Sequence, residues 1–249
     1  MKAFLLAAGE GTRLGQLTKT IPKCLVPIKG KPLLQYWLRL CERYGIREVL
    51  INLHHLPHLV EEFLNSYSYR LKIRTFYEEK LLGSAGTIAA NRDFVAGEEA
   101  FFIFYADNLT NVNLEKMRKF HKDHGGIFTM GLFKAKRLKE CGIAELDAEG
   151  LVVDFVEKPH HPKSDLANAG VYVANPQIFD YIPNKEVVDL GFDVLPGLVG
   201  RMYGYLIKEY LLDIGTWENY KKAQKEWLSS FGSRSVIKAA KLVKGGEGT

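Results

Sequence analysis

The chain is predicted to adopt an α/β fold, a Rossmann-like, doubly wound and mostly parallel sheet with helices on both faces. Short apolar runs alternate with helix-like stretches through the first half of the sequence. The second half contains shorter strands and turns, and one of its runs is typical of a β-hairpin. The 249 residues are enough for one large domain or two small ones.

The first half predicts strands and helices in strict alternation. The predicted strands are KAFLLAA (2–8), EVLINL (48–53), LKIRTFYE (71–78) and AFFIFYADN (100–108). The predicted helices lie at 32–45, 58–67, 83–94 and 114–125. Ligands bind beyond the carboxyl ends of strands in such sheets, and Gly9, Gly83 and Asp107 all fall at such ends.

The second half predicts short strands with two further helical segments. The strands are expected at 127–135, in a hairpin over 142–159 that turns at 148–150, and at 168–176. Helical patterns cover 177–182 and 217–231. We expect residues 1–231 to form a single domain, and residues 232–249 to form a basic tail that is frayed or packs as a short helix.

The overall composition is that of an ordinary soluble globular protein, with 47% hydrophobic and 25% charged residues. The net charge of +5 is far from the basic stripe of a nucleic-acid-binding protein, so no nucleic-acid partner is expected. Three widely spaced cysteines without a CxxC motif argue against a zinc site or a disulfide framework and favour a reducing cytoplasm. No signal-peptide pattern or membrane-spanning run is present, so no membrane association is expected.

A glycine-rich segment, AAGEGTRLG (7–15), directly follows the first predicted strand and raises the question of which phosphate it would bind. A dinucleotide site requires a helix that begins within the loop and an acidic residue at the end of the second strand. Residues 18–27 include two prolines and show no helical face, and the second strand ends at Asn52 and Leu53. The dinucleotide interpretation, and with it an NAD(P)-dependent oxidoreductase, is therefore disfavoured.

A wider anion-binding loop explains the same segment better. Small residues let backbone N–H groups approach phosphate oxygens closely. Arg13 adds a planar fork of donors, and Lys23 adds a point charge behind Pro22. Two cations and several amides around one space suit a triphosphate, whereas the alternative is that both side chains are solvated surface charges.

The longer segment LAAGEGTRLGQLTKTIPKCLVPIKGKPLL (6–34) resembles the signature of the sugar-1-phosphate nucleotidylyltransferases, GxGTRL followed by PKxLxPxxxxPLL. One departure is Gly15-Gln16, where the family commonly has a proline soon after the leucine. The resemblance implies the nucleotide-diphospho-sugar transferase fold and a catalytic domain over about residues 1–231. It also implies that a nucleoside triphosphate and a sugar 1-phosphate are the substrates, with Arg13 and Lys23 as catalytic groups.

The resemblance assigns nucleotide binding to two glycine loops. LGSAG (82–86) resembles the LGTAG of the family's base-reading loop, although a plain strand-to-helix connection is the alternative. The residues implied in nucleotide binding are Leu6, Ala8, Gly9, Gly11 and Thr12 in the first loop, and Gly83, Ser84 and Gly86 in the second.

The resemblance also implies a magnesium site and a sugar-phosphate site. Asp107 in YADN and Asp213 in DIGTW are implied as Mg²⁺ ligands, although each could instead cap a turn or the last helix. FVEKP, NAGVY, CGIAELD and GFDVLPGLV resemble the family's sugar-binding motifs, and of these CGIAELD matches only loosely. The implied sugar-phosphate residues are Gly142, Glu157, Lys158, Asn168 and Asp193, the last of which contacts the sugar or supports Lys158.

The identity of the substrates stays open at this point. LGSAG and DIGTW look most like the segments of mannose-1-phosphate and manno-heptose-1-phosphate guanylyltransferases. The uridylyl and thymidylyl branches, including those acting on a hexose or N-acetylmuramic acid 1-phosphate, often carry a glutamine in the base loop, where Glu79 and Lys80 precede LLGSAG here. A catalytically silent, nucleotide-sugar-binding regulatory homologue is a further alternative. The oligomeric state is also open, a homodimer included.

Overall fold

The computed structural model describes residues 1–227. Its strands are β1 (Lys2–Leu6), β2 (Pro27–Ile28), β3 (Lys31–Pro32), β4 (Glu48–Leu53), β5 (Lys72–Tyr77), β6 (Phe101–Tyr105), β7 (Asn108–Thr110), β8 (Phe128–Lys134), β9 (Gly142–Leu146), β10 (Val152–Glu157), β11 (Leu166–Ala174), β12 (Met202–Leu206) and β13 (Leu211–Asp213). Its α-helices are α1 (Gln16–Thr20), α2 (Leu33–Arg43), α3 (Pro57–Asn65), α4 (Ser84–Ala90), α5 (Leu114–His124) and α6 (Trp217–Glu226).

A sheet of nine strands dominates residues 1–227. Its strand order is β10-β9-β11-β6-β1-β4-β5, and β8 joins it through β11 and carries β12 on its other side. Strands β6, β1, β4 and β5 pair in parallel, with Leu6 opposite both Tyr105 and Asn52. Their carboxyl ends therefore meet at one edge of the sheet, which confirms the predicted α/β class.

Side-chain alternation along β1 explains why helices cover both faces of the sheet. Ala3 and Leu5 pack in a core with α2, α3 and α5, whereas Phe4 packs in the opposite core with α4. The Phe4 ring lies edge-on to Phe94 and Phe101, at centroid distances of 5.2 and 5.7 Å. Fully burying such a side chain contributes roughly 1.5–3 kcal/mol, so β1 is anchored immediately before the first glycine loop.

The second half supplies antiparallel strands to the same sheet. The predicted hairpin is present as β9 and β10, and the Asp147 carboxylate closes its turn by accepting from Leu151 N at 2.8 Å. Strand β11 pairs antiparallel with β6 and β8 and shifts register between Asn168 and Tyr172. Strand β12 has no counterpart among the predicted elements, and its Gly204 lies where a Cβ would be only 2.6 Å from the Leu132 side chain.

Three helical predictions differ from the structure. A short helix, α1, begins at Gln16 and extends into the 18–27 segment, which was expected to show no helical face. Thr18 Oγ1 donates back to Gly11 O at 2.9 Å and stabilises this turn. The segment predicted as helical at 177–182 forms a 3₁₀-helix over Pro176–Tyr181. The last helix ends at Glu226, while residues 228–231 and the basic tail 232–249 lie outside the described residues.

None of the helices within residues 1–227 combines the length and apolar character that are needed to cross a bilayer.

Candidate active site

A pocket of about 260 Å³ opens at the carboxyl edge of β1, β4, β5 and β6. Side chains and backbone from all four strand ends line it, together with the start of α4. It is lined by Leu6, Ala7, Ala8, Gly9, Lys23, Cys24, Asn52, Glu78, Leu81, Gly83, Ser84, Thr87, Tyr105, Ala106, Asp107 and Asp189. The topology therefore brings both glycine loops, Lys23 and Asp107 around one space.

The first glycine loop folds back onto the segment that carries Lys23. Gly11 has φ +67°, and a Cβ there would lie 2.9 Å from Thr18 Cγ2 and 3.0 Å from Lys23 Cβ. Only a glycine lets the loop backbone approach Lys23 this closely. Gly11 and Thr12 support the loop from outside the pocket lining, whereas Gly9 faces the pocket.

The charged groups predicted for catalysis and metal binding form one cluster beside this pocket. Lys23 Nζ lies 2.6 Å from Asp107 Oδ2 and 3.8 Å from Asp213 Oδ1. Arg13 Nη2 lies 3.8 Å from Asp213 Oδ2. Four residues that are up to 200 positions apart in sequence thus meet within ion-pair distance.

A short two-stranded sheet brings the two aspartates together. Strands β7 and β13 pair antiparallel with Asp213 opposite Asn108, and Ile214 N donates to Asp107 O at 2.8 Å. Thr216 is the N-cap of α6, and its Oγ1 accepts a hydrogen bond from Asn219 N. The Asp213 carboxylate therefore does not cap this helix.

Burial and a second carboxylate together perturb the titration of Asp213. Burial and the nearby Asp107 carboxylate raise the pKa of Asp213 to about 6. Asp213 Oδ1 is buried without a hydrogen-bond partner within the described chain. Burial alone would lower the pKa of Lys23, but Asp107 and Asp213 outweigh it and raise that pKa.

This arrangement fits a hard divalent cation that is shared with a substrate. Within residues 1–227 no three His, Cys, Asp or Glu side chains are grouped as a metal site. Mg²⁺ typically uses only one or two protein carboxylates and completes its shell with water and substrate phosphates. Asp213, whose Oδ1 accepts no hydrogen bond within the described chain, and the adjacent Asp107 provide those two carboxylates.

The second glycine loop is held against a distant segment by backbone bonds. Gly83 has φ +78°, and a Cβ there would overlap the Val188 carbonyl oxygen and lie 2.8 Å from its carbon. Ala85 N and Gly86 N both donate to Val188 O, at 2.9 and 3.1 Å. Gly86 therefore packs behind the loop, while Gly83 and Ser84 line the pocket.

The predicted set does not include a buried carboxylate at the base of the pocket. Glu78 is 3% exposed, and its carboxylate accepts from Asn52 Nδ2 (2.8 Å), Thr87 Oγ1 (2.5 Å) and Leu82 N (3.0 Å). Asn52 also accepts from Ala7 N at 2.6 Å, which ties the first glycine loop to this network. Both Asn52 and Glu78 lie at strand ends, so the rule that singled out Asp107 would have found them.

The segment 188–193 is joined to the second glycine loop through Asp189, another residue absent from the predicted set. Ser84 Oγ donates to Asp189 Oδ2 at 2.9 Å, and Leu190 N donates to Ser84 Oγ at 2.7 Å. No local sequence signal marks Asp189, because its role depends on the packing of the segment against α4.

Glu157 and its neighbours lie next to this segment. A Cβ on Gly191 would stand 2.7 Å from Glu157 Oε2, and Gly142 is packed against the same oxygen. Burial raises the pKa of Glu157, the adjacent Lys158 charge lowers it, and the Asp189 carboxylate raises it further. Glu157, the last residue of β10, thus contacts both the start of β9 and the 188–193 segment.

Lys158 and Asn168 are held by unusual local backbone. Lys158 has φ +50°, which is uncommon for a residue with a side chain, and its ammonium lies 5.5 Å from the Phe192 ring centroid. Asn168 donates to Tyr172 Oη at 2.7 Å and accepts from Gly170 N at 3.1 Å, within the register shift of β11.

Asp193 does not support Lys158 in this structure. Its Oδ1 lies 2.9 Å from Lys185 Nζ, and its Oδ2 accepts from Asp189 N at 2.9 Å. These contacts lower the pKa of Asp193. The carboxylate therefore braces the 188–193 segment, which leaves a direct sugar contact as the other predicted role.

Known proteins resemble this chain across most of its length. The probable mannose-1-phosphate guanylyltransferase 3 of Oryza sativa subsp. japonica is 31% identical over 247 residues, covering 96% of this chain and 68% of that protein. The UTP–glucose-1-phosphate uridylyltransferase of Synechocystis sp. is also 31% identical, covering 92% and 64%. The chain thus spans about two thirds of the length of these relatives.

Solved structures share the fold. A UDP-glucose pyrophosphorylase complexed with UDP-glucose aligns with a TM-score of 0.77 at 25% identity, covering 90% of this chain and 96% of that one. HddC from Yersinia pseudotuberculosis complexed with GMP-PN aligns with a TM-score of 0.75 at 24% identity, covering 90% and 97%. The nucleotidyl transferase family model matches residues 2–230, which confirms the resemblance drawn from the sequence. The chain therefore belongs to the nucleotidyl transferase family.

Proposed function

We propose that this protein transfers a nucleotidyl group from a nucleoside triphosphate, in the first place GTP, to a sugar 1-phosphate of the mannose or manno-heptose type. The products are a nucleoside-diphosphate sugar and pyrophosphate. The observation that carries the proposal is the cluster of Arg13, Lys23, Asp107 and Asp213 beside a pocket walled by two glycine loops. The mannose-1-phosphate guanylyltransferases among the relatives support it.

The reaction is an in-line displacement at phosphorus. An oxygen of the sugar phosphate forms a bond to the α-phosphorus, and the bond from the α-phosphorus to the β-phosphate bridging oxygen breaks. The attacking oxygen is already ionised at neutral pH, so no general base is needed. Catalysis then consists of positioning and charge stabilisation.

Within this proposal, the charged groups of the cluster and Lys158 each have a task. Arg13 stabilises charge on the departing pyrophosphate, and its 60% exposed side chain has room to turn toward a ligand. Lys23 grips the α-phosphate, and Lys158 holds the attacking sugar phosphate. Asp107 and Asp213 hold Mg²⁺, which when bound neutralises triphosphate charge.

Glu78 supports guanine over the pyrimidines. The carboxylate lines the pocket and accepts three hydrogen bonds from the protein, whereas an ionised carboxylate has about four acceptor positions. Guanine offers a donor to the remaining position, either N1–H or N2–H. Uracil and thymine place carbonyl acceptors on both sides of their single N–H, next to a negative charge.

The runner-up is a uridylyltransferase, because a UTP–glucose-1-phosphate enzyme is as similar in sequence as the guanylyltransferases. For either activity we infer a cytoplasmic location, where the free thiols of Cys24, Cys41 and Cys141 stay reduced.

The experiment is to measure pyrophosphate release with Mg²⁺ across GTP, UTP, dTTP, CTP and ATP, each with hexose and heptose 1-phosphates. Turnover with GTP and a manno-configured sugar phosphate is the expected result. Asp107→Asn and Arg13→Ala should each lower the rate by about 10² or more in a folded protein, like other losses of single charge-stabilising groups. Silence across the grid, in a protein that still binds a nucleotide sugar, would replace the proposal with a regulatory role.

A further inference from the structure

The Lys23 ammonium lies between the two carboxylates that would hold the metal. Its Nζ is hydrogen-bonded to Asp107 at 2.6 Å and lies 3.8 Å from Asp213 Oδ1. Its side chain is only 10% exposed, whereas those of Asp107 and Asp213 are 34% and 42% exposed. A buried ammonium needs such carboxylate partners, because an unpaired buried charge is very costly.

The backbone around Lys23 brings its side chain to this position. Lys23–Leu25 form a 3₁₀ turn, and the extended backbone of the preceding residue, Pro22, sets the direction in which the chain enters it. The side-chain stem packs against Gly11, 3.0 Å from where a Cβ would be. The stem is therefore held, and only the end of the side chain is free to change partners.

We propose that Lys23 is a place-holding cation: in the metal-free protein its ammonium takes the position between Asp107 and Asp213, and a divalent metal ion with a triphosphate displaces it. The displaced ammonium then turns to the phosphates. The inference rests on the proposed function for its ligand and adds a coupling between metal and nucleotide.

The coupling follows from charge. A divalent ion that enters without an anion meets the ammonium across a few ångströms, where like charges repel strongly in a partly buried site. A triphosphate gives the ammonium a new partner and removes that repulsion. Metal and nucleotide should therefore each strengthen the binding of the other, by the same factor.

The test is Mn²⁺ binding measured by electron paramagnetic resonance in the absence of nucleotide. Lys23→Gln should bind Mn²⁺ at least about tenfold more tightly than the wild type, because the competing charge is gone. Lys19→Gln is the matched control, since Lys19 is exposed on α1 and within residues 1–227 has no ion pair with a carboxylate. The control should bind Mn²⁺ as the wild type does.

An unchanged or weaker affinity in Lys23→Gln, with a wild-type circular dichroism spectrum and melting temperature, would overturn the proposal. If that variant does not fold, the lysine ammonium resonances of the wild-type protein provide a second measurement. The Lys23 signal, assigned with Lys23→Arg, should stay in place with 1 mM Mg²⁺ alone and shift when a non-hydrolysable GTP analogue is added. A shift of the Lys23 signal with Mg²⁺ alone would overturn the proposed exchange. The absence of any shift after both additions would overturn it as well.

The two proposals fail separately. Pyrophosphate release by the wild type, together with unchanged Mn²⁺ affinity in Lys23→Gln, would leave the proposed function standing and remove the place-holding role. Tighter Mn²⁺ binding in Lys23→Gln, with no turnover by the wild type on any substrate pair, would support the exchange at a site of different function.

Discussion

The Gly83→Ala substitution tests whether the packing of the second glycine loop against segment 188–193 shapes the pocket. Gly83 has φ +78° and ψ 165°, a region of backbone conformation that is essentially restricted to glycine. A methyl group there would overlap the Val188 carbonyl oxygen and lie 2.8 Å from its carbon. Because the obstacle is backbone, no side-chain rotation can relieve the overlap.

The expected magnitude combines strain with lost hydrogen bonds. Holding alanine in this conformation costs about 1–3 kcal/mol. Moving Val188 away weakens the bonds that its carbonyl accepts from Ala85 N and Gly86 N, at roughly 1 kcal/mol each. Gly83→Ala should therefore lower the free energy of unfolding by about 3–5 kcal/mol in total.

Gly97→Ala is the matched control, because Gly97 has nearly the same φ, +79°, but no atom within 4 Å of an added Cβ. It should cost about 1–2 kcal/mol, from backbone strain alone. Urea denaturation of both variants gives the two free energies, and calorimetric titration with a nucleoside triphosphate reports the state of the pocket. Equal destabilisation by the two substitutions, or unaltered nucleotide affinity in a folded Gly83→Ala protein, would refute the reasoning.

Three further predictions concern titration and the link between the loops. Burial lowers the pKa values of His121 and His124, the latter to about 4. The unfolded chain therefore binds more protons than the folded one, and the free energy of unfolding should fall as the pH drops below about 6.5. Urea denaturation curves that coincide at pH 7.5 and 5.5 would contradict this prediction. The raised pKa of Asp213 has the opposite effect on stability, because the charged form of this side chain destabilises the folded protein above about pH 6. Asp213→Asn should therefore raise the melting temperature at pH 8 and leave it unchanged at pH 4. An equal shift at both pH values would count against this prediction. Ser84→Ala removes the hydrogen bond to Asp189 and should raise the KM for the nucleotide about fivefold, with little change in kcat. Steady-state kinetics that show a loss in kcat alone would assign Ser84 a different role.

Local pattern was sufficient to predict most of the sheet and the glycine loops. Strand β4 follows the predicted range 48–53 residue for residue, and the helix expected at 114–125 is α5 with its end one residue earlier. These elements could be predicted because each has an unbroken apolar run or a helical stripe, which depends only on neighbouring residues. Strand β12 escaped prediction because Tyr, Gly and Met in a five-residue run show no clear period.

Some residues of the candidate site could likewise be predicted from local sequence, whereas others could not. Arg13 and Lys23 were recognisable because they lie in one ordered segment, and Asp107 because it follows a strong strand. The partner of Asp193 could not be predicted, since its pairing with Lys185 depends on how an irregular loop folds on itself.

The sequence by itself determined most strands of the large sheet, and therefore that two glycine loops and a carboxylate would lie at one edge of that sheet. The tertiary structure alone decided that Asp213 lies beside Asp107, because their meeting depends on the pairing of β7 with β13 across about a hundred residues. It also decided that Glu78 and Asp189 line the same pocket and that Lys23 lies between the two aspartates. Such contacts join distant segments by packing and charge, and no periodicity along the chain encodes them.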